Sequence, residues 1–394
     1  MKSDELCLHK TLKDRLSKKG FTELTLIQEK CIPDVIQGRD VVGQAETGSG
    51  KTLAFCLPIL NKINPGKNVQ ALVITPTREL CLQVTDVFRD FDKNLGIQTT
   101  SVFGGVGIGP QIQQLRSSDI VVGTPGRLLD HIRRKTIDLR NVQVLVLDET
   151  DKMFEMGFID DVEEIIRQIP KQRQLLMFSA TISDEVYGLV KKHLKNPLVV
   201  RTQSLVDPTK LKQLYYDIDE RKNKFSLLVH LLKNNTEGLS IVFCGTRRES
   251  DAVSKNLKRQ GIRASAIHGG MKQQKRMDSL DDLKTEKTKV LVATDVAARG
   301  LDIKNVTHIY NYDVPKTSTE YVHRIGRTAR AGEKGAAITL LTPRDHDNFR
   351  RVQSNEELQI EKGDIPQFQK VPFQRHFGQK RSSFHESHPH PFRR

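Results

Sequence analysis

The chain has 394 residues, 37% of them hydrophobic and 28% charged, which suits two globular domains rather than one core and excludes a membrane-embedded or wholly disordered protein. No run approaches the roughly 18 apolar residues of a spanning helix, the start Met1-Lys2-Ser3-Asp4-Glu5 lacks a secretory pattern, and five cysteines without a C-x-x-C pair fit reduced thiols rather than disulfides or structural zinc. The net charge of +15 suits a polyanionic partner such as nucleic acid, although charge alone leaves a merely basic soluble protein equally open.

Along the chain, short runs rich in Val, Ile and Leu alternate with longer helical patterns. Asp40-Val41-Val42 reads as a strand that enters a glycine-rich loop and then a helix at 53–57. Residues 69–75, 119–124, 142–147 and 174–179 read as strands buried on both faces of a parallel sheet. Val162, Ile165, Ile166 and Ile169 recur at the spacing of a covering helix. The rhythm restarts with strand-like runs at 240–244, 264–268, 289–293 and 306–310, separated by helix formers at 248–260 and 273–284. The pattern predicts an α/β chain of two units, each a mostly parallel sheet covered by helices, at 1–202 and 210–362. Gln203, Ser204, Asp207 and Pro208 mark a linker at 203–209. Residues 363–394 carry six Lys or Arg against two Asp or Glu, and read as a basic tail, disordered or loosely attached.

The glycine-rich loop is Ala45-Glu46-Thr47-Gly48-Ser49-Gly50-Lys51-Thr52. Between a strand and a helix, such glycines let backbone N–H groups close around phosphate oxygens, and the helix N-terminus adds partial positive charge. Lys51 is then expected to reach the β- and γ-phosphates and Thr52 to hold Mg²⁺. A second strand, 144–147, leads into Asp148-Glu149-Thr150-Asp151. Carboxylates at the C-terminal end of a buried strand face the ligand crevice of an open α/β sheet. Asp148 is expected to hold Mg²⁺ through water, and Glu149 to orient or deprotonate an attacking water. Alone, the acidic run is equally an N-cap; paired with the Lys51 loop, catalysis is the stronger reading.

In these motifs the chain resembles the DEAD-box RNA helicases of superfamily two, in order from about Gly20 to Pro343. The likeness runs through Gly20-Phe21 and Ile27-Gln28, the phosphate loop, Pro76-Thr77-Arg78-Glu79-Leu80, Gly104-Gly105, Thr124-Pro125-Gly126-Arg127, the acidic motif and Ser179-Ala180-Thr181. It continues through Thr246-Arg247, His268-Gly269 with Gln273 and Arg276, the run from Ala293 to Asp302, and His323-Arg324-Ile325-Gly326-Arg327-Thr328-Ala329-Arg330. The resemblance implies two RecA-like domains with ATP and RNA bound across their cleft. It implies that Phe21 and Gln28 serve the adenine, Asp302 the ribose, and Arg327 and Arg330 the γ-phosphate as arginine fingers from the second domain. Ser179, Thr181 and Asp151 then couple hydrolysis to strand separation. Arg78, Gly105, Thr124, Arg127, Thr246, Arg247 and Thr294 match positions on the RNA sugar–phosphate backbone, which position a strand without reading its sequence.

Three departures stand out. Thr150 replaces the family's alanine, Leu24 replaces the usual proline of the adenine motif, and Ser3 falls where an isolated aromatic is expected. The last two bear on nucleotide affinity rather than chemistry. In the tail, basic residues are interspersed with phenylalanines, a mixture that can hold single-stranded RNA and is equally a solvated end. The expected protein is a cytoplasmic monomer (nuclear in a eukaryote), an ATP- and Mg²⁺-dependent RNA helicase that separates short duplexes or remodels RNA–protein complexes. Two alternatives stay open: an ATP-dependent RNA clamp or assembly platform without unwinding, and a DNA-directed helicase.

Overall fold

The computed structural model describes residues 2–45, 48–202, 210–235, 237–298, 303, 305–329, 334–356 and 358–375, with the side chains of Gln273 and Val296 left aside. The linker expected at 203–209 lies outside these residues, as do 376–394 of the tail and the site candidates Glu46, Thr47, Asp302 and Arg330.

In the first unit the order is α1 (Lys10–Lys18), α2 (Leu26–Ile36), β1 (Val41–Gln44), α3 (Lys51–Lys62), β2 (Ala71–Ile74), α4 (Arg78–Phe91), β3 (Thr99–Val102), α5 (Ile108–Leu115), β4 (Ile120–Gly123), α6 (Pro125–Arg133), β5 (Val144–Leu147), α7 (Thr150–Glu155), α8 (Ile159–Arg167), β6 (Gln174–Ser179), α9 (Asp184–His193) and β7 (Leu198–Arg201). The seven strands form one sheet in the order β3-β4-β2-β5-β6-β1-β7, every neighbouring pair parallel. Strands such as Ala71-Leu72-Val73-Ile74 are buried along their whole length. Alternation sends Ala71, Val73, Val144 and Val146 into one core and Leu72, Ile74, Leu145 and Leu147 into another. Residues of α2, α3 and α4 complete the first core, and residues of α6, α8 and α9 the second. Burial on both faces explains why these strands read as continuous apolar runs.

The second unit repeats the plan: β8 (Leu211–Asp217), α10 (Arg221–Asn234), β9 (Leu239–Phe243), α11 (Arg247–Arg259), β10 (Ala264–Ile267), α12 (Gln273–Lys284), β11 (Val290–Ala293), α13 (Asp295–Ala298), β12 (Val306–Asn311), α14 (Ser318–Ile325), β13 (Gly335–Leu341), α15 (His346–Gln353) and β14 (Glu361–Lys362). Its sheet runs β10-β11-β9-β12-β13-β8-β14, again with parallel pairing.

One boundary is corrected. The expected loose tail from 363 is packed as far as 375. After β14 joins the sheet, Phe368, Val371 and Phe373 lie on the second domain's core, with the Phe373 ring 4.9 Å from that of Phe225. Asn256 fixes the segment's end, donating to the Gln374 carbonyl at 2.9 Å and accepting from its N–H at 3.0 Å. The Val371 N–H donates to the Ser226 hydroxyl at 3.0 Å. The second domain therefore includes a strap laid over α10 and α11.

Candidate nucleotide and nucleic-acid site

Two parallel strands of the first sheet, β1 and β5, end beside each other with only β6 between them. The phosphate loop leaves β1 and the acidic residues leave β5, so Lys51 and the Asp148–Glu149 pair meet at the strands' C-terminal edge. Gly48 and Gly50 take φ of 90° and 92°, a left-handed backbone open to glycine. Gly50 also lies so close to Gln28 and Thr25 that any side chain there would collide with both. Buried Lys51 folds back and donates to the Ala45 carbonyl at 2.7 Å. Gln28 is held from two sides: its amide donates to the Gly50 carbonyl at 3.1 Å, and its oxygen accepts from the Thr25 N–H at 3.0 Å.

Lys51, Thr52, Asp148 and Glu149 line a cleft of about 640 Å³ together with Leu80, Gln83 and Asp86 of α4. Its other wall is the second domain, through Leu239, Lys284, Ile303 and Asn305. Both carboxylates are buried. Burial raises the Asp148 carboxyl, against the pull of Lys51. Burial pushes Glu149 up as well, but Lys152, Lys51 and Arg327 outweigh it and hold its carboxyl low. Glu149 sits at φ 53° and ψ 51°, a left-handed conformation that costs about 1 kcal/mol or more outside glycine and is a common feature of functional turns. An oxygen donor set of Asp148 and the Thr52 hydroxyl suits a hard cation such as Mg²⁺, which takes one or two carboxylates and completes its shell with phosphates and water.

Next to the acidic pair, Asp151 accepts from the Thr181 N–H at 3.0 Å and from its hydroxyl at 3.1 Å. Ser179 accepts from the Asp151 N–H at 3.2 Å and donates to the Thr181 carbonyl at 2.7 Å. The second domain reaches this network: His323 Nε2 lies 3.8 Å from the Asp151 carboxylate. Buried Arg327 borders a small cavity with Lys152, Ala180, Thr181 and His323.

A separate groove of about 600 Å³ runs past Arg78, Thr124, Arg127, Phe158, Gly269 and Arg276. Gly105 takes φ 82°, and a Cβ there would strike the Arg78 guanidinium, so this glycine makes room for that arginine. Arg127 is steadied by the Val106 carbonyl at 3.1 and 3.2 Å. Arg247 packs beside Gly269 and Gly270 across the second domain's edge. Thr246 caps α11 by accepting from the Glu249 N–H at 3.1 Å, and Thr294 is buried at the start of α13. Arg276 and Glu79 bridge the two domains at 3.0 Å.

Neither Phe21 nor the position of Ser3 supplies the cleft with an aromatic ring. Phe21 is 40% exposed and its ring lies 6.3 Å from that of Phe91. Ser3 is tied to the Thr22 carbonyl at 3.1 Å, and among the described residues no aromatic lines the cleft. Sequence reasoning assigned no role to Lys152, His323 or the Arg276–Glu79 bridge. The i, i+3 spacing of Glu149 and Lys152 was the available signal for the first; the others are meetings between domains and leave no mark in local spacing. Arg324 takes a packing role instead. It pairs with both Asp295 oxygens at 2.5 and 2.8 Å and donates to Asn311 at 3.1 Å, locking α13 to α14.

The DEAD/DEAH box helicase family model matches residues 25–189, and the helicase conserved C-terminal domain matches 223–332. The chain is 43% identical over 366 residues to the DEAD-box ATP-dependent RNA helicase CshA of Bacillus cereus, covering 92% of this chain and 69% of that one. It is 44% identical over 362 residues to the ATP-dependent RNA helicase CshA of Listeria monocytogenes, with 91% and 70% covered. Among solved structures, S. cerevisiae Dbp5 bound to RNA and ADP BeF3 superposes with a TM-score of 0.84 at 33% identity, covering 92% of this chain and 95% of that one. Mss116p bound to single-stranded RNA and AMP-PNP gives 0.83 at 28% identity, with 92% and 80% covered. With both helicase family models matched in order and relatives 43–44% identical over more than nine-tenths of its length, the chain belongs to the DEAD-box ATP-dependent RNA helicases.

Proposed function

We propose that this chain hydrolyses ATP between its domains when RNA in the basic groove holds them together, and that closure and reopening separate short duplexes locally. As a DEAD-box protein it is an RNA-dependent ATPase and helicase. The finer reading rests on one observation: a single cleft has Lys51, Asp148 and Glu149 on one wall and Ile303 and Asn305 on the other. Neither domain alone encloses it.

In this reading Lys51 and the backbone of the phosphate loop hold the phosphates, with Ala45, Glu46, Thr47, Gly48, Ser49 and Gly50 forming the loop. Thr52 and Asp148 hold Mg²⁺, which supplies charge neutralisation on the phosphates. Glu149 orients the attacking water, and Gln28 reads the adenine edge. Arg327 and Arg330 bring positive charge from the second domain, so hydrolysis waits for closure. Asp302 serves the ribose. Asp148-Glu149-Thr150-Asp151 is the family's acidic motif with threonine in third place. Its Asp151 passes closure to Ser179 and Thr181. Arg78, Gly105, Thr124, Arg127, Thr246, Arg247 and Thr294 hold the RNA backbone, and contacts to the 2′-hydroxyl favour RNA over DNA. One chain carries both halves of the cleft, which supports a monomer as the working unit, here in the cytoplasm. No helix among the described residues is long and apolar enough to cross a membrane.

The test is ATP turnover by the purified chain with and without single-stranded RNA. RNA should raise it well above the basal rate, Lys51→Ala should abolish it, and chelation of Mg²⁺ should do the same. Equal turnover with and without RNA would sink the coupling.

A further inference from the structure

The acidic turn also contains a buried cation that the reading above leaves unused. Lys152 lies one helical turn after Glu149 on α7, its ammonium 2.7 Å from Glu149 Oε2, with side-chain exposures of 2% and 4%. Burying an ammonium is costly unless a carboxylate compensates it closely. Here the compensating group is a carboxylate that lines the cleft, on a residue whose backbone is already left-handed. Arg327 borders the same small cavity as Lys152, but belongs to the second domain. Lys152, like Lys51, belongs to the same domain as Glu149, and its ammonium is in direct contact with the carboxylate whether the domains are together or apart.

We propose that Lys152 is a positioning residue for Glu149: its ion pair fixes the carboxylate where it can orient the attacking water, before Arg327 arrives. The proposal rests on the reading of Glu149 given above. Lys152 does not line the nucleotide cleft, so its loss is expected in turnover and not in substrate binding. A carboxylate misplaced by about an ångström is enough to cost a factor of ten to a hundred.

The test compares steady-state ATPase kinetics of the full chain with saturating RNA. Lys152→Met should lower kcat by about tenfold or more and leave the KM for ATP within about twofold. Lys152→Arg, which restores a cation, should recover most of the lost kcat. Unfolding curves without nucleotide establish that each variant is folded, and Lys152→Gln replaces the apolar variant should that one not fold. An unchanged kcat overturns the proposal, as does a KM that rises in step with the loss, or a folded arginine variant no better than the methionine one. Glu149→Gln is measured alongside. If it keeps turnover, the role of Glu149 itself falls, whatever Lys152 does.

Discussion

Thr150 is fully buried behind the two catalytic candidates, and its hydroxyl lies 3.3 Å from the Phe178 carbonyl and 3.4 Å from that of Leu147. The extra atoms thus tie the end of β5 to the end of β6, one residue before Ser179, instead of pushing the acidic turn outward. Both contacts are long, so their net contribution is about 0.5–1 kcal/mol. Thr150→Ala should lower the stability of the first domain by that amount, read by denaturant unfolding, and leave RNA-stimulated turnover within about twofold. A loss of turnover without loss of stability would instead make the hydroxyl part of the coupling path through Ser179 and Thr181.

At the scale of the elements, what was legible in the sequence and what was not divide along a physical line. Strands of parallel sheets are buried on both faces, so β2, β4, β5 and β6 announce themselves as unbroken apolar runs. The phosphate loop and acidic turn are contiguous in the chain, so their residues can be named before any fold is known. The strap at 363–375 fails both conditions. Its anchors Phe368, Val371 and Phe373 are spaced among Gln, Lys and Pro, and their partners lie more than a hundred residues away on α10 and α11. Composition alone therefore reads it as loose. Phe373 is half-buried against Phe225, so Phe373→Ala should cost about 1–2 kcal/mol. In a domain of this size that lowers the unfolding temperature by roughly 2–8 °C. The change should appear in the second domain's transition alone, with ATP turnover at 25 °C unaltered. A variant as stable as the parent would mean that the strap rests on the domain without holding it.

At the scale of the whole molecule, the Arg276–Glu79 bridge is the contact that can report closure without touching chemistry. It joins α12 of one domain to α4 of the other at 3.0 Å, with side-chain exposures of 12% and 3%. Burial lowers the affinity of Arg276 for its proton, and Glu79 restores part of it, so the pair is worth most where water is excluded. The bridge spans the two domains, so its loss should act on closure rather than on the fold of either half. Arg276→Ala removes the cation that faces a buried carboxylate across the closed interface, a loss of the kind that costs about 2–5 kcal/mol at interfaces. It should therefore weaken RNA binding by tenfold or more when a non-hydrolysable ATP analogue holds the closed state. Binding of the same RNA without nucleotide should change far less. The double variant Glu79→Gln with Arg276→Met removes both charges and should recover part of the loss, because neither charge is then buried without the other. Equal weakening with and without the analogue would instead make Arg276 an ordinary phosphate contact in the groove that it also lines, and closure would then have to draw its energy from the Asp151–His323 side of the interface.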